Sequence, residues 1–368
     1  MKKIILFSNT SWSLYNFRIN LVKELIAQDY KVIILSNRDF TTKKLIDLGC
    51  SFYQIKLDRR GDDFLKEFIT LFNIYKKIRL VSPDFIFNFT IKPIIYGSLV
   101  SRILNIKTLN TLDGLGATFE INIFKIFILK YLIKISQKKV KLFYFVNSND
   151  LNFFLSKKYL KKFQTKLING TGIDLNFFKF KKNNFSKKIN FLLIARLLYS
   201  KGIINYLDAA EKLSKKFKNK CSFSIAGIVD KNIKDHIPKK ILEKKIKNSK
   251  TKIYYNVRDV RRLILKSNCI VLPTSYNEGL PRSLLEAAAM GRPIITTNLS
   301  GCKRVGKHNY NALIYNKLRQ KSLSQMLAKF LLLKTRKKIY MSINSYKIAK
   351  KFDEVKIINK YKKFLNHE

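Results

Sequence analysis

The chain has 368 residues, which at about 150 residues per domain gives two to three domains, and two of about 170 can each bury a core. Apolar residues make up 46% and aromatic residues 13%, with only 13 Gly and 6 Pro, which excludes collagen-like, low-complexity and broadly disordered chains. Lys and Arg number 74 against 24 Asp and Glu, and the net charge of +50 attracts polyanions, whether nucleic acid, anionic lipid headgroups or phosphorylated small molecules; a compositional bias toward Lys, spread along the chain beside Asn, Ile, Phe and Tyr, accounts for the same excess.

The chain opens with Met1-Lys2-Lys3 and the run Ile4 to Phe7, which stops at Ser8-Asn9-Thr10, too short for a signal-peptide core and right for a first strand. From there short β-branched or aromatic runs alternate with longer helical patterns, the mark of βαβ units and a parallel sheet. In the first half, strands are expected at 4–7, 32–35, 52–55, 85–89, 108–111 and 142–146, with helices at 15–27, 62–80, 93–104, 121–138 and 149–160. The greasiest segment, 121–135, is interrupted by Lys125, Lys130 and Lys134, and no run reaches the ~18 apolar residues needed to span a bilayer. Asn169-Gly170-Thr171-Gly172-Ile173-Asp174 and the Lys/Asn-rich stretch 179–188 mark a boundary, giving a first domain at 1–168 and a linker at 169–188.

The second series places strands at 191–194, 222–226, 253–255, 269–272, 293–296 and 312–315, and helices at 202–217, 257–267, 282–290 and 322–333, within a second domain at 189–335. The basic end, 336–368, carries Ile339, Ile343, Ile348, Phe352, Ile357, Tyr361 and Phe364, which reads as terminal helices packing back toward the first domain. The expected fold class is therefore α/β: two doubly wound parallel-sheet domains facing a cleft, with ligands held outside the carboxyl ends of the strands. Cys50, Cys221, Cys269 and Cys302 lie far apart without a C-x-x-C pair and only three histidines accompany them, so the spacing supports neither a zinc site nor a disulfide framework and fits a reducing compartment.

The segment from Pro273 to Gly291 carries the chemistry. A strand ends near Leu272, a loop with Gly279 follows, and Pro281 suits the first position of a helix whose free N–H groups can hold an anion or sugar hydroxyls. Glu278 lies in the loop and Glu286 about one and a half turns inside the helix, so the two carboxylates grip different parts of one extended ligand. Leu284-Leu285 and Ala287-Ala288-Ala289 close-pack the face around Glu286, and a buried carboxylate needs a partner, of which ribose hydroxyls are one kind. Arg196 and Lys201, at the exit of the first strand of the second domain, suit a diphosphate. In the first domain, Asp113-Gly114-Leu115-Gly116 follows a strand and is placed to contact donor or acceptor, and Lys92 enters a helix where it suits an acceptor phosphate, although a turn and a solvated lysine are the plainer readings.

With Glu278 and Glu286 in the frame N-E-G-L-P-R-S-L-L-E-A-A-A-M-G-R-P, A-R-L-L-Y-S-K-G upstream and N-G-T-G-I-D between the halves, nearly the whole chain resembles glycosyltransferase family 4, retaining nucleotide-sugar transferases with the two-domain, Rossmann-like GT-B fold. N-T-S-W-S-L-Y-N-F-R at Asn9 to Arg18, I-K-P-I-I-Y-G-S-L from Ile91 and D-G-L-G-A-T-F from Asp113 resemble the bacterial branch that extends lipid-linked glycans for capsule, O-antigen or protein glycosylation. The resemblance implies that Arg196 and Lys201 bind the donor diphosphate and stabilise its departure, that Glu286 holds the ribose, and that Glu278 with the backbone at Gly279, Leu280 and Pro281 contacts the donor sugar. It implies no covalent enzyme nucleophile. No Asp-x-Asp motif asks for a metal, and no cofactor is expected because the UDP-sugar is a substrate. Two departures stand out. The first βα loop is Ser8-Asn9-Thr10-Ser11-Trp12 in place of a Gly pair, leaving the side chains of Asn9 or Ser11 to approach the donor, and the first domain has no histidine.

The function expected is transfer of an N-acetylhexosamine from a UDP-sugar to a lipid-linked saccharide by an enzyme peripheral on the cytoplasmic face of the membrane. Its basic first-domain surface, with Lys125, Lys130, Lys134, Lys138 and Lys139, would meet anionic lipid. The alternatives are a sugar-nucleotide epimerase of the same fold and a nucleic-acid-binding protein. The second lacks a G-x-x-x-x-G-K-[ST] loop or a recognisable binding module, so no nucleic-acid partner is expected.

Overall fold

The computed structural model describes residues 1–58, 64–114, 131–185, 188–230, 233, 235–276, 278–316 and 323–367. The chain forms two compact units, residues 1–172 with 355–368, and residues 173–354. The stretch 169–188 is thus divided between them, and of the terminal segment only its last part, from Val355, belongs to the first unit.

The first unit is built on a parallel sheet in the order β3-β2-β1-β4-β5-β6-β7. Its strands are β1 (Lys3–Thr10), β2 (Lys31–Asn37), β3 (Ser51–Gln54), β4 (Phe85–Phe89), β5 (Lys107–Leu112), β6 (Leu142–Phe145) and β7 (Thr165–Leu167). β1 and β4 are mostly apolar, Ile4 to Phe7 in one and all but Asn88 in the other, because both faces of a parallel sheet are covered. On one face, Ile5, Phe7, Ile33, Leu35 and Ile86 pack with Ile74, Ile78 and Ile94 of the helices Phe64–Val81 and Ile91–Leu104. On the other, the C-terminal helix Glu354–Asn366 lays Tyr361 and Phe364 against Phe85, Phe87, Phe89 and Tyr144. The Tyr361 hydroxyl meets Thr111 Oγ1 at 2.7 Å, and Lys362 pairs with Glu24 at 2.6 Å. The helix Ser11–Ala27 is capped by Thr10, whose hydroxyl accepts from Ser13 N, and breaks its helical geometry at Arg18.

The helix Phe64–Val81 also turns Leu65, Phe68, Ile69 and Phe72 outward, at i, i+3, i+4 and i+7, on the side away from Ile74 and Ile78; Phe68 is 71% exposed. No helix among the described residues is long and apolar enough to cross a membrane. The expected helix at 121–138 lies outside the described residues up to 130; beyond them Lys134, Lys138 and Lys139 are exposed.

The second unit repeats the plan with the order β10-β9-β8-β11-β12-β13. Here β8 is Ile189–Arg196, β9 Cys221–Ile228, β10 Lys252–Tyr255, β11 Cys269–Leu272, β12 Ile294–Thr297 and β13 Ala312–Tyr315. Leu207, Ala210 and Leu213 of the helix Ile203–Lys216 pack with Phe191, Phe223 and Phe330 on one face. Leu284, Leu285, Ala287 and Ala288 of the helix Arg282–Ala289 pack with Leu192, Ile270, Leu272 and Ile348 on the other. Buried Arg292 ties this core together by donating to the carbonyls of Ile264, Leu265, Met290 and Lys181. Its burial pulls the guanidinium down to about 10. In both units the strand order reverses beside the first strand, between β1 and β4 and between β8 and β11, and these switch points are where ligands of doubly wound sheets bind.

Candidate active site

At the switch point of the second unit, β8 presents Arg196 at its carboxyl end, and the tight turn Tyr199–Lys201 presents Lys201. The next residue, Gly202, has φ 74°, and a side chain there would collide with the carbonyl and ring of Pro273. Glycine therefore lets the chain reverse against the loop that follows β11. That loop is tied back through one carbonyl, Ser200 O, which accepts from Ser275 N at 2.7 Å and Thr274 Oγ1 at 3.2 Å. Ser200 itself is held by Asp235, which accepts from its N–H at 3.0 Å and from its hydroxyl.

These bonds bring two of the expected residues into contact. Lys201 Nζ donates to Glu278 Oε1, and the ammonium lies 4.4 Å from the centre of the Tyr276 ring. Only 9% of the lysine side chain and 13% of the glutamate side chain reach solvent. Thr274 Oγ1 lies 3.4 Å from the same carboxylate oxygen. The peptide carbonyls of Glu278 and Gly279 rest directly on Gly301, where any side chain would clash, so the following helix Ser300–Val305 fixes the loop backbone. Arg196 is more open: its side chain is 36% exposed and meets Asp230 at 3.4 Å.

Glu286 is partnered within its own helix, accepting from Arg282 Nε at 3.1 Å, with a side chain 14% exposed. Burial holds its carboxyl above the usual range against the pull of Arg282, and Asp259 adds to the rise. Pro281 is not the first helical residue. It stands one position earlier, in extended conformation, and the helix begins at Arg282. Leu280 is half-buried in the same loop.

Asn9, Lys92 and Gly114 belong to the other unit, and Gly116 lies outside the described residues. Lys92 Nζ is 2.5 Å from Glu67 Oε1, and Tyr96 donates its hydroxyl to the other oxygen of that carboxylate, so its charge is already compensated. Three partners were not expected from the sequence: Asp230, Asp235 and Arg282. Only Arg282 left a signal, its spacing of four from Glu286. Among the described residues no group of three His, Cys, Asp or Glu side chains is placed to hold a metal.

Two doubly wound parallel sheets, the second carrying cations and carboxylates at its switch point, are the architecture of the GT-B glycosyltransferases. Solved structures agree. A glycosyltransferase from Rickettsia africae matches with a TM-score of 0.77 at 18% identity, over 99% of this chain and 97% of that one. The Anabaena HepE protein in complex with UDP and glucose matches at 0.79 and 17%, over the whole of both chains. In sequence, the family "Glycosyl transferases group 1" matches residues 175–348 and "Glycosyl transferase 4-like" matches residues 3–147. The N,N'-diacetylbacillosaminyl-diphospho-undecaprenol alpha-1,3-N-acetylgalactosaminyltransferase of Campylobacter jejuni is 29% identical over 98% of this chain and 97% of its own length. The two halves of the chain thus each match a glycosyltransferase family, and the enzyme is a glycosyltransferase of glycan biosynthesis.

Proposed function

We propose that the enzyme transfers an N-acetylhexosamine, with retention, from a UDP-sugar to a saccharide carried on a polyprenyl diphosphate. The observation that carries the reading is the buried contact of Lys201 with Glu278 at one switch point, whose first strand, β8, ends in Arg196. The identity of the acceptor follows the Campylobacter jejuni relative, whose name gives an undecaprenol diphosphate acceptor and an N-acetylgalactosamine donor group. The match of each half to a transferase family favours this over a sugar-nucleotide epimerase or a nucleic-acid-binding protein.

In this reading charge growing on the departing diphosphate is met by Arg196 and Lys201, fixed before the reaction begins and shielded from water on the Lys201 side. Glu278 holds Lys201 in place and, with the backbone of Gly279, Leu280 and Pro281, contacts the donor sugar. Glu286, clamped by Arg282, accepts from the ribose hydroxyls. Two preorganised cations supply the electrostatic role, and the transfer proceeds without a divalent metal. The enzyme acts as a peripheral protein at the anionic cytoplasmic face of the membrane. Support comes from the exposed Lys134, Lys138 and Lys139 and from the outward apolar stripe of the helix Phe64–Val81, with Lys76 lying 4.5 Å over the Phe72 ring. The test is release of UDP from a panel of UDP-sugars with and without a polyprenyl diphosphate-linked N-acetylhexosamine. Release that depends on the acceptor and is fastest with a UDP-N-acetylhexosamine is expected. Release indifferent to acceptor, or conversion of one UDP-sugar to another, refutes it.

A further inference from the structure

A small basic recess lies in the second unit at the amino end of β13, the opposite end of the sheet from the strand ends that present Lys201 and Glu278. It encloses about 280 Å3 and is lined by Lys307, His308, Tyr310, Lys347, Ile348 and Lys351. One wall is the loop 306–311, which is tightly bound. The carbonyl of Lys307 accepts from the N–H groups of Tyr310, Asn311 and Ala312 at 3.1, 3.2 and 3.1 Å. Fully buried Asn311 accepts from Lys307 N at 2.7 Å and donates to the carbonyl of Val305 at 2.9 Å. The other wall is the helix Thr335–Ala349 and the turn Lys350–Phe352 that continues it. Asn344 of that helix donates to the carbonyl of Tyr310 at 3.4 Å, and the rings of Tyr310 and Tyr340 meet at 5.9 Å, so the two walls are held together.

This scaffold presents one kind of group. The N–H of Ile314 donates to His308 Nδ1 at 3.0 Å, which makes Nε2 the proton-bearing nitrogen of the neutral ring. Lys347 and Lys351 stand four apart, a spacing at which like charges repel, and Lys307 faces them from the loop. Among the described residues that line the recess none is acidic. Ile348, 3% exposed and part of the core, backs the space with an apolar surface. A multivalent anion relieves the repulsion and uses the donors, and a phosphate offers three terminal oxygens to the ammonium and imidazole groups. The volume lies at the lower end of small-molecule sites, room for a phosphate and a short carbon substituent.

We propose that this recess binds a phosphate monoester, either a small phosphorylated molecule or the headgroup of a lipid such as phosphatidic acid, at a site separate from the donor diphosphate. Lys307, Lys347 and Lys351 neutralise the phosphate, His308 Nε2–H fixes its orientation, and Tyr310 and Ile348 meet the substituent.

The test uses the full chain, labelled with 13C at histidine Cε1 and saturated with UDP so that the donor diphosphate site is occupied. The three histidines, His236, His308 and His367, give separate signals, and His308→Gln identifies the one at the recess. At fixed pH and ionic strength glycerol 3-phosphate shifts that signal saturably and chloride does not. Lys347→Gln with Lys351→Gln, two exposed positions, weakens the binding by roughly tenfold or more and leaves the KM for UDP-sugar within about twofold. Flotation with neutral vesicles carrying phosphatidic acid distinguishes the sources. A loss of vesicle binding in the double variant, beyond any loss with phosphatidylglycerol, assigns the lipid headgroup; unchanged vesicle binding beside a glycerol 3-phosphate shift assigns the soluble ester. A shift that chloride reproduces, a shift the double variant leaves unaltered, a parallel change in the KM for UDP-sugar, or no shift together with no preference for phosphatidic acid overturns the proposal.

Discussion

Removing Glu278 tests the second-unit site through stability as well as activity. Glu278→Ala leaves the Lys201 ammonium, 9% exposed, without its carboxylate. Breaking a buried pair from one side costs about 3–5 kcal/mol, and the Tyr276 ring 4.4 Å away retains about 1 kcal/mol of that. A net loss of about 2–4 kcal/mol corresponds to a fall of about 5–15 °C in the unfolding temperature of a unit of this size. The second change, Lys201→Met in the Glu278→Ala background, removes the stranded charge and recovers at least half of the loss. UDP should also help the single variant, because its diphosphate supplies the missing counter-charge; at a hundred times its dissociation constant it contributes about 2.7 kcal/mol. Calorimetry of the three proteins with and without UDP decides the matter. A Glu278→Ala midpoint within 2 °C of the parent, or a double variant less stable than the single one, means that the contact is not the buried pair described.

Glu286→Ala lowers UDP-sugar affinity by about 1–3 kcal/mol, roughly 5- to 150-fold, in a folded protein, as read by donor titration. Because burial raises the Glu286 carboxyl above its ordinary 4.5, the native state holds that proton more tightly than the unfolded chain, so the parent loses stability relative to Glu286→Gln as pH rises from about 4.5 through the raised value; parallel midpoint curves for the two proteins would show the carboxyl is not perturbed. Arg196→Ala and Lys201→Ala each reduce turnover at saturating donor by roughly ten- to a thousandfold, whereas a chelator leaves it within twofold; loss of activity in chelator with recovery on adding a divalent ion contradicts the metal-free mechanism. Sedimentation with anionic vesicles exceeds that with neutral ones and falls when Lys125, Lys130, Lys134, Lys138 and Lys139 become Gln, each lysine near the surface contributing about 1 kcal/mol; Phe68→Ser with Phe72→Ser weakens both vesicle types, and equal partition of the parent to both removes the charge from the account.

The alternation of apolar runs with helical patterns made both sheets legible because strands such as β1 and β4, covered on two faces, carry little but apolar side chains. Elements without that signature were missed. The helix Lys239–Ser249 is KKILEKKIKNS, with Leu242 buried amid lysines, and its one-sided packing against the helix Ile203–Lys216 leaves too few apolar positions to show a period. β7, Thr165–Leu167, is three residues at a sheet edge. Of the site, Lys201 and Glu278 each stood in a local frame, but nothing in a sequence links positions 77 apart, so their contact was invisible until folding joined the two loops. Arg18 and Asp113, 95 apart, are a harder case: Arg18 reads as an ordinary helix residue, and only the neighbouring strand end turns it into half of a pair.

The C-terminal helix has a consequence for how the protein is made. Residues 173–354 are contiguous and can close as soon as they leave the ribosome, but the first unit waits for residues after Val355. Tyr361 is 250 positions beyond Thr111, and at 5–20 residues per second the nascent chain spends about 12–50 s with one face of its first sheet bare. That face is Phe85, Phe87 and Phe89 of β4 and Tyr144 of β6, rings on the two strands that flank β5. The order of folding therefore inverts the order of synthesis, and the chain leaves the ribosome needing either a chaperone on those rings or a rapid final capture by its own last helix.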